Sequence, residues 1–112
     1  PAISKTSLGA EKSIKWSYCP NLPEVLVDLK ANKCLILALE FAPGASSLQA
    51  FRLSHPMPDQ VVLVVGNEPA GVDPAILRIA DQVVYIPMNG DKTSLNVSVA
   101  FGIAVYQLLR FY

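Results

Sequence analysis

Val61-Val62-Leu63-Val64-Val65 runs without interruption into Gly66-Asn67-Glu68-Pro69-Ala70-Gly71, and further on Ile86-Pro87-Met88 is followed by Ser94-Leu95-Asn96-Val97-Ser98-Val99-Ala100. In each case an apolar run with strand character gives way to a polar turn. An open α/β sheet binds ligands at the carboxyl ends of its strands, so both turns fall where a site is expected.

Outward from these stretches, strands and helices alternate. Residues 14–18 have the character of a short strand, ended by Cys19-Pro20. Asn21 is placed to cap a helix over residues 23–31, with Pro23 in its first turn and Glu24 in capping-box position. Val25, Leu26 and Leu29 face inward in that reading, and Asn32 is the stop. Cys34-Leu35-Ile36-Leu37-Ala38-Leu39 is continuously apolar, which suits a central strand covered on both faces. A loop with one short helix over residues 47–51 follows, then a loop over 55–59 containing the single histidine, His55. Residues 61–65 form a second buried strand. Asp73-Pro74 opens a helix reaching about Ala80. Residues 82–86 make a third strand, and a final helix spans roughly residues 94–110. This order predicts one α/β domain over residues 1–112, with a mostly parallel sheet and helices on both faces.

Composition narrows the function classes. Hydrophobic residues make up 52% and charged residues 16% of 112 positions, so the chain is globular with a surface poor in charge. Its last helix carries apolar residues on nearly every face, so it must be covered on two sides. A homodimer through this C-terminal helix is the expected remedy. Nine basic side chains balance nine acidic ones. The basic excess typical of a free-standing nucleic-acid binder is missing, and Lys5, Lys12 and Lys15 make only a mild cluster. Cys19 and Cys34 lack metal-ligand spacing, so no metal site is expected, and Cys34 reads as a buried thiol. With neither a signal peptide nor a membrane-spanning run, the expected compartment is the cytoplasm.

The motifs exclude several chemistries. The glycines of Gly66–Gly71 suggest a phosphate loop, but Val72-Asp73 stands where lysine and a hydroxyl residue belong, and Glu68 would repel phosphate. The spacing is not that of a dinucleotide fingerprint either. Taken alone, that loop is a structural turn, and Ser94 and Asn96 are ordinary helix caps. Serine hydrolase chemistry is excluded, because there is no G-x-S-x-G and no second histidine.

Taken jointly, the G-N-E-x-x-G turn, the I-P-M strand end and the S-L-N-V-S-x-A helix start closely resemble the SpoU-like branch of the SPOUT superfamily, the ribose 2′-O-methyltransferases of tRNA and rRNA. The resemblance is strongest over residues 61–110. It extends back through residues 34–40 to Lys5-Thr6-Ser7-Leu8-Gly9-Ala10, which is similar to the family's S-x-G-A segment. It implies a C-terminal trefoil knot holding S-adenosylmethionine, bordered by Ala38, Leu39, Glu40, Gly66, Ile86, Met88 and Leu95. It further implies that Glu68, Ser94 and Asn96 lie at the catalytic centre and that RNA is the partner.

One departure bears on activity. The family's N-x-G-x-x-x-R motif, whose arginine is assigned to activating the ribose hydroxyl, does not occur, and Arg52, Arg78 and Arg110 stand in unrelated contexts. The resemblance therefore implies an N-terminally incomplete domain. Two alternatives remain: a shortened relative that dimerises and holds cofactor without methylating, and an unrelated α/β nucleotide-binding module.

Overall fold

The computed structural model describes residues 15–53, 57–67, 70–87 and 97–110. Its first helix, α1, spans Leu22–Ala31. The Asn21 side chain accepts a hydrogen bond from the Glu24 backbone N–H at 3.3 Å and donates to the Glu24 carboxylate at 3.2 Å. That is a capping exchange in which the asparagine amide does the donating. Leu26 is buried and Leu29 partly so, but Val25 is exposed, one position off the face expected for it. The helix ends in a Schellman motif: Cys34 N–H donates to Leu29 O and Lys33 N–H to Lys30 O, both at 3.1 Å. Lys33 takes the left-handed conformation, φ 66°, where glycine is usual.

That tight stop turns the chain into β1 (Leu35–Leu39), from which the remaining elements are laid out. They are β2 (Ser46–Ser47), β3 (Val61–Val65), α2 (Pro74–Ile79), β4 (Gln82–Tyr85) and α3 (Val97–Leu109). The four strands form one sheet in the order β2-β4-β1-β3, and every pairing is parallel. The chain therefore crosses over β1 in passing from β3 through α2 to β4.

Side chains alternate across a strand, and β1 divides its residues between two cores. Ile36 and Ala38 face Leu26, Cys34, Val64, Val72 and Ile76, beneath α1 and α2. Leu37 faces Leu48, Phe51, Leu53, Val84, Ala104 and Leu108, beneath α3 and the loop after β2. Helices thus cover both faces, as the unbroken apolar run requires. Asp81 ties the lower ends of this arrangement together. Its carboxylate accepts from Ile36 N–H at 2.8 Å, its own N–H donates to Ile36 O at 2.8 Å, and it lies 3.4 Å from the Lys30 ammonium. Cys34 is buried, and its thiol donates to Gln60 Oε1 at 3.1 Å; both cysteines are free.

Three local expectations are corrected. Residues 15–18 are not a strand, and Trp16 and Tyr18 stand exposed, since among the described residues no strand pairs with them. Ser46 and Ser47 pair with Val84 and Tyr85 as an edge strand, and residues 48–50 are a turn rather than a helix. β3, although wholly apolar, is an edge of the sheet among the described residues, and only Val64 in it is buried.

Two substitutions test this layout by urea denaturation. Leu37→Ala should cost about 2–5 kcal/mol, because Leu37 is fully enclosed. Lys33→Gly should gain about 1 kcal/mol by relieving the left-handed backbone. A Leu37→Ala protein as stable as the parent would contradict the assignment of β1 to the centre.

Candidate functional site

The register of the sheet assembles the site. Leu39 lies opposite Val65 on one side and Val84 on the other, so β1, β3 and β4 end at one level. Glu40, Gly66 and Ile86, the residues that follow these strands, therefore share one rim. Both α1 and α2 connect to the next strand by short turns and run back against the sheet, so their amino ends approach this rim as well.

The turn after β3 is closed on itself. Asn67 and Gly71 form an antiparallel bridge, with Gly71 N–H donating to Asn67 O. Gly71 has φ +73°, and Gly66 lies so close to the returning chain that a Cβ there would overlap the backbone of Gly71 and Val72. The family resemblance named Gly66 as bordering the cofactor. The structure supplies a nearer cause for glycine there, the chain's own backbone. From Val72, which is buried, the chain enters α2, where the Asp73 side chain accepts from Ala75 N–H at 2.8 Å. This is the expected cap, and Pro74 follows in the first turn.

Glu40 reaches from the end of β1 to this turn. Its carboxylate Oε2 accepts from Val72 N–H at 2.6 Å, and its own N–H donates to Val84 O at 2.9 Å. The residue therefore links the end of β1 to β4 and to the turn that follows β3. Beside it, Phe41 packs edge-on against Tyr85, ring centroids 5.1 Å apart and planes at 77°. Phe41 is otherwise 62% exposed, leaving a large apolar surface at the rim.

The site residues named from the sequence separate into three groups. Glu40 and Gly66 come together through the 66–72 turn. Leu39 and Ile86 sit at the same rim as partly buried apolar side chains packed on the α3 core. Ala38 is fully buried in the other core and offers a ligand no side-chain surface. Glu68, Met88, Ser94, Leu95 and Asn96 lie outside the described residues, as does His55. Gly71, Val72 and Val84 were not singled out individually. The pairing of glycines at both ends of the turn was the available signal for Gly71, whereas Val72 and Val84 take part through backbone groups that no sequence pattern marks.

Among the described residues no group of His, Cys, Asp and Glu could hold a metal ion, and no helix is long and apolar enough to cross a membrane. A groove of ≈ 330 Å³ lies between β3 and α3, lined by Asp59, Val61, Leu63, Val105, Leu108 and Leu109. It sits toward the amino-terminal end of β3, away from the strand ends that carry the turns.

Comparison with known proteins places this geometry. The model of the SpoU rRNA methylase family matches residues 1–106. The 23S rRNA (guanosine-2′-O-)-methyltransferase RlmB of Acinetobacter baylyi is 33% identical over 111 residues, which is 98% of this chain and 43% of that protein. The crystal structure of the A. aeolicus TrmH/SpoU tRNA modifying enzyme superposes with a TM-score of 0.82 at 34% identity, over 96% of this chain and 52% of the other. The SpoU methyltransferase AviRb of Streptomyces viridochromogenes, solved in complex with AdoMet, gives 0.81 at 26% identity, over 98% of this chain and 44% of the other. The chain thus spans about half or less of the length of each of these relatives.

Gly66→Ala should displace the turn at a cost of about 1–3 kcal/mol, because the added methyl meets backbone rather than a movable side chain. Urea denaturation gives the cost, and the amide resonances of Gly71 and Val72 report the displacement. Silence in both measurements would remove the close approach from this account.

Proposed function

Since this chain belongs to the SpoU rRNA methylase family, we propose that it forms the cofactor-binding part of an S-adenosylmethionine-dependent RNA methyltransferase acting on a ribose 2′-hydroxyl of tRNA or rRNA. The observation that carries the reading is the common rim of β1, β3 and β4, with the 66–72 turn folded against Glu40. Relatives named for methylating guanosine 2′-hydroxyls of 23S rRNA and for modifying tRNA, and one solved with AdoMet, support it.

The rim suits a nucleoside with a flat uncharged base. Leu39 and Ile86 offer partly buried apolar side chains at this rim. S-adenosylmethionine supplies an activated methyl group when bound. The protein's task is then to align a ribose oxygen with that methyl and to assist loss of the hydroxyl proton. By resemblance, Glu68 is assigned to orienting the hydroxyl or its activating group, Ser94 and Asn96 to holding the loop and substrate, and Met88 and Leu95 to the adenine slot. By resemblance, a C-terminal trefoil knot is proposed to enclose the cofactor, an exception to the general avoidance of threaded loops.

The C-terminal helix is the proposed homodimer surface. Ala104 and Leu108 are buried on one side of α3, while Val99, Ile103 and Tyr106 share another face at helical spacing and are 52%, 44% and 83% exposed. Gly102 lies on the same side with open space around it, which permits a close backbone approach.

A second reading is favoured by one observation, the absence of an N-x-G-x-x-x-R motif from the 112 residues. A protein made of these residues alone would hold cofactor and dimerise without methylating.

Calorimetric titration of S-adenosylmethionine into the chain should give saturable binding; no binding would overturn both readings. Transfer of labelled methyl groups to bulk RNA should be undetectable with these residues alone. Robust transfer would show that a group within them activates the ribose. Light scattering should report twice the 12.1 kDa chain mass, falling to the single mass in an Ile103→Asp/Tyr106→Asp variant. A monomeric parent would exclude the dimer surface.

A further inference from the structure

From the end of β1, Glu40 bonds both β4 and the turn that follows β3, and its side chain is turned toward backbone. Oε2 accepts from Val72 N–H at 2.6 Å. A Cβ placed on Gly71 would lie 2.6 Å and 2.7 Å from the two carboxylate oxygens, so both oxygens are directed at the turn. Glycine at 71 suits its φ of +73°, and the Glu40 carboxylate faces the same position. Gly66 meets the same backbone, also without room for a side chain. The returning part of the turn thus touches both Gly66 and Glu40, and Glu40 is itself pinned to β4 by its N–H bond to Val84 O.

We infer that Glu40 is a positioning residue, which fixes the 66–72 turn for nucleoside binding by accepting from Val72 N–H, rather than a group that contacts the ligand. The inference rests on the assignment of this rim to S-adenosylmethionine. Its physical content is that reach matters and charge does not. A side chain that delivers an oxygen to Val72 N–H preserves the turn. One that keeps the negative charge but falls a methylene short leaves a buried donor unpaired and the turn free to open.

Two substitutions separate these properties. Glu40→Gln retains reach without charge, and Glu40→Asp retains charge without reach. Hydrogen exchange at the Val72 amide and calorimetric affinity for S-adenosylmethionine are measured on both variants and on the parent chain. Glu40→Gln should keep Val72 protection and bind within about threefold of the parent. Glu40→Asp should lose about tenfold in each, the consequence of one lost buried hydrogen bond. Urea midpoints of both variants should stay near the parent's, which a general loss of structure would not allow.

The opposite ranking, with aspartate tolerated and glutamine not, would assign the carboxylate to direct contact with the ligand and overturn the inference. Equal losses in both variants, or no loss in either, would overturn it as well. Should the parent chain bind no S-adenosylmethionine, the ligand assignment falls, and the Val72 exchange comparison alone still decides whether Glu40 holds the turn.

Discussion

The rest of the molecule depends on a single strand being hydrogen-bonded on both edges and buried on both faces. β1 pairs with β3 and β4 at once, and its side chains feed two separate cores. Such a strand has no solvent-facing side on which to tolerate a polar residue, which is why it reads as an unbroken apolar run. Because both neighbours pair with it in parallel and in fixed register, the three chains leave the sheet at one level. The candidate site is thus a consequence of register before it is a matter of side chains. Asp81 performs the matching service at the opposite edge, closing the backbone of β1 where β4 begins.

The elements legible in the sequence were those specified by strong local chemistry. The apolar runs at 35–39 and 61–65, the Asn21 cap and the Asp73-Pro74 start lie where they were expected. What escaped was set by neighbours distant in the chain. Two serines carry no strand signal, and Ser46–Ser47 becomes a strand only because the edge of β4 offers partners. Val25 and Leu26 are equally apolar, and only the direction from which α1 meets the sheet decides which one is enclosed. β3 has the composition of a central strand, yet among the described residues it stands at the edge of the sheet and buries only Val64.

The site was legible to a similar depth. The polar turns at the strand ends followed from residue types and their order, whereas Glu40 and Gly66 were named only through the family resemblance. The reason for a glycine at 66 was not legible, because the approach of Gly71 and Val72 is a contact of the chain with itself. Side chains identify themselves by type, but the Val72 N–H and the Val84 carbonyl are anonymous until the fold is known. The final helix was read as apolar all round, and α3 buries Ala104 and Leu108 while leaving Val99, Ile103, Tyr106 and Leu109 open. A helix with two apolar sides can satisfy only one of them inside a domain of this size.

The interlock of Gly66, Gly71 and Glu40 carries an evolutionary consequence. Three positions scattered over some thirty residues of chain behave as one unit of variation, because any atom added at 66 or 71 must be matched by retreat of the facing group. Drift at one of them alone is penalised, and a compensated exchange has to pass through a disfavoured intermediate. Pairs of changes here should therefore be strongly non-additive, and divergent copies of this gene would explore the trio jointly or leave it untouched.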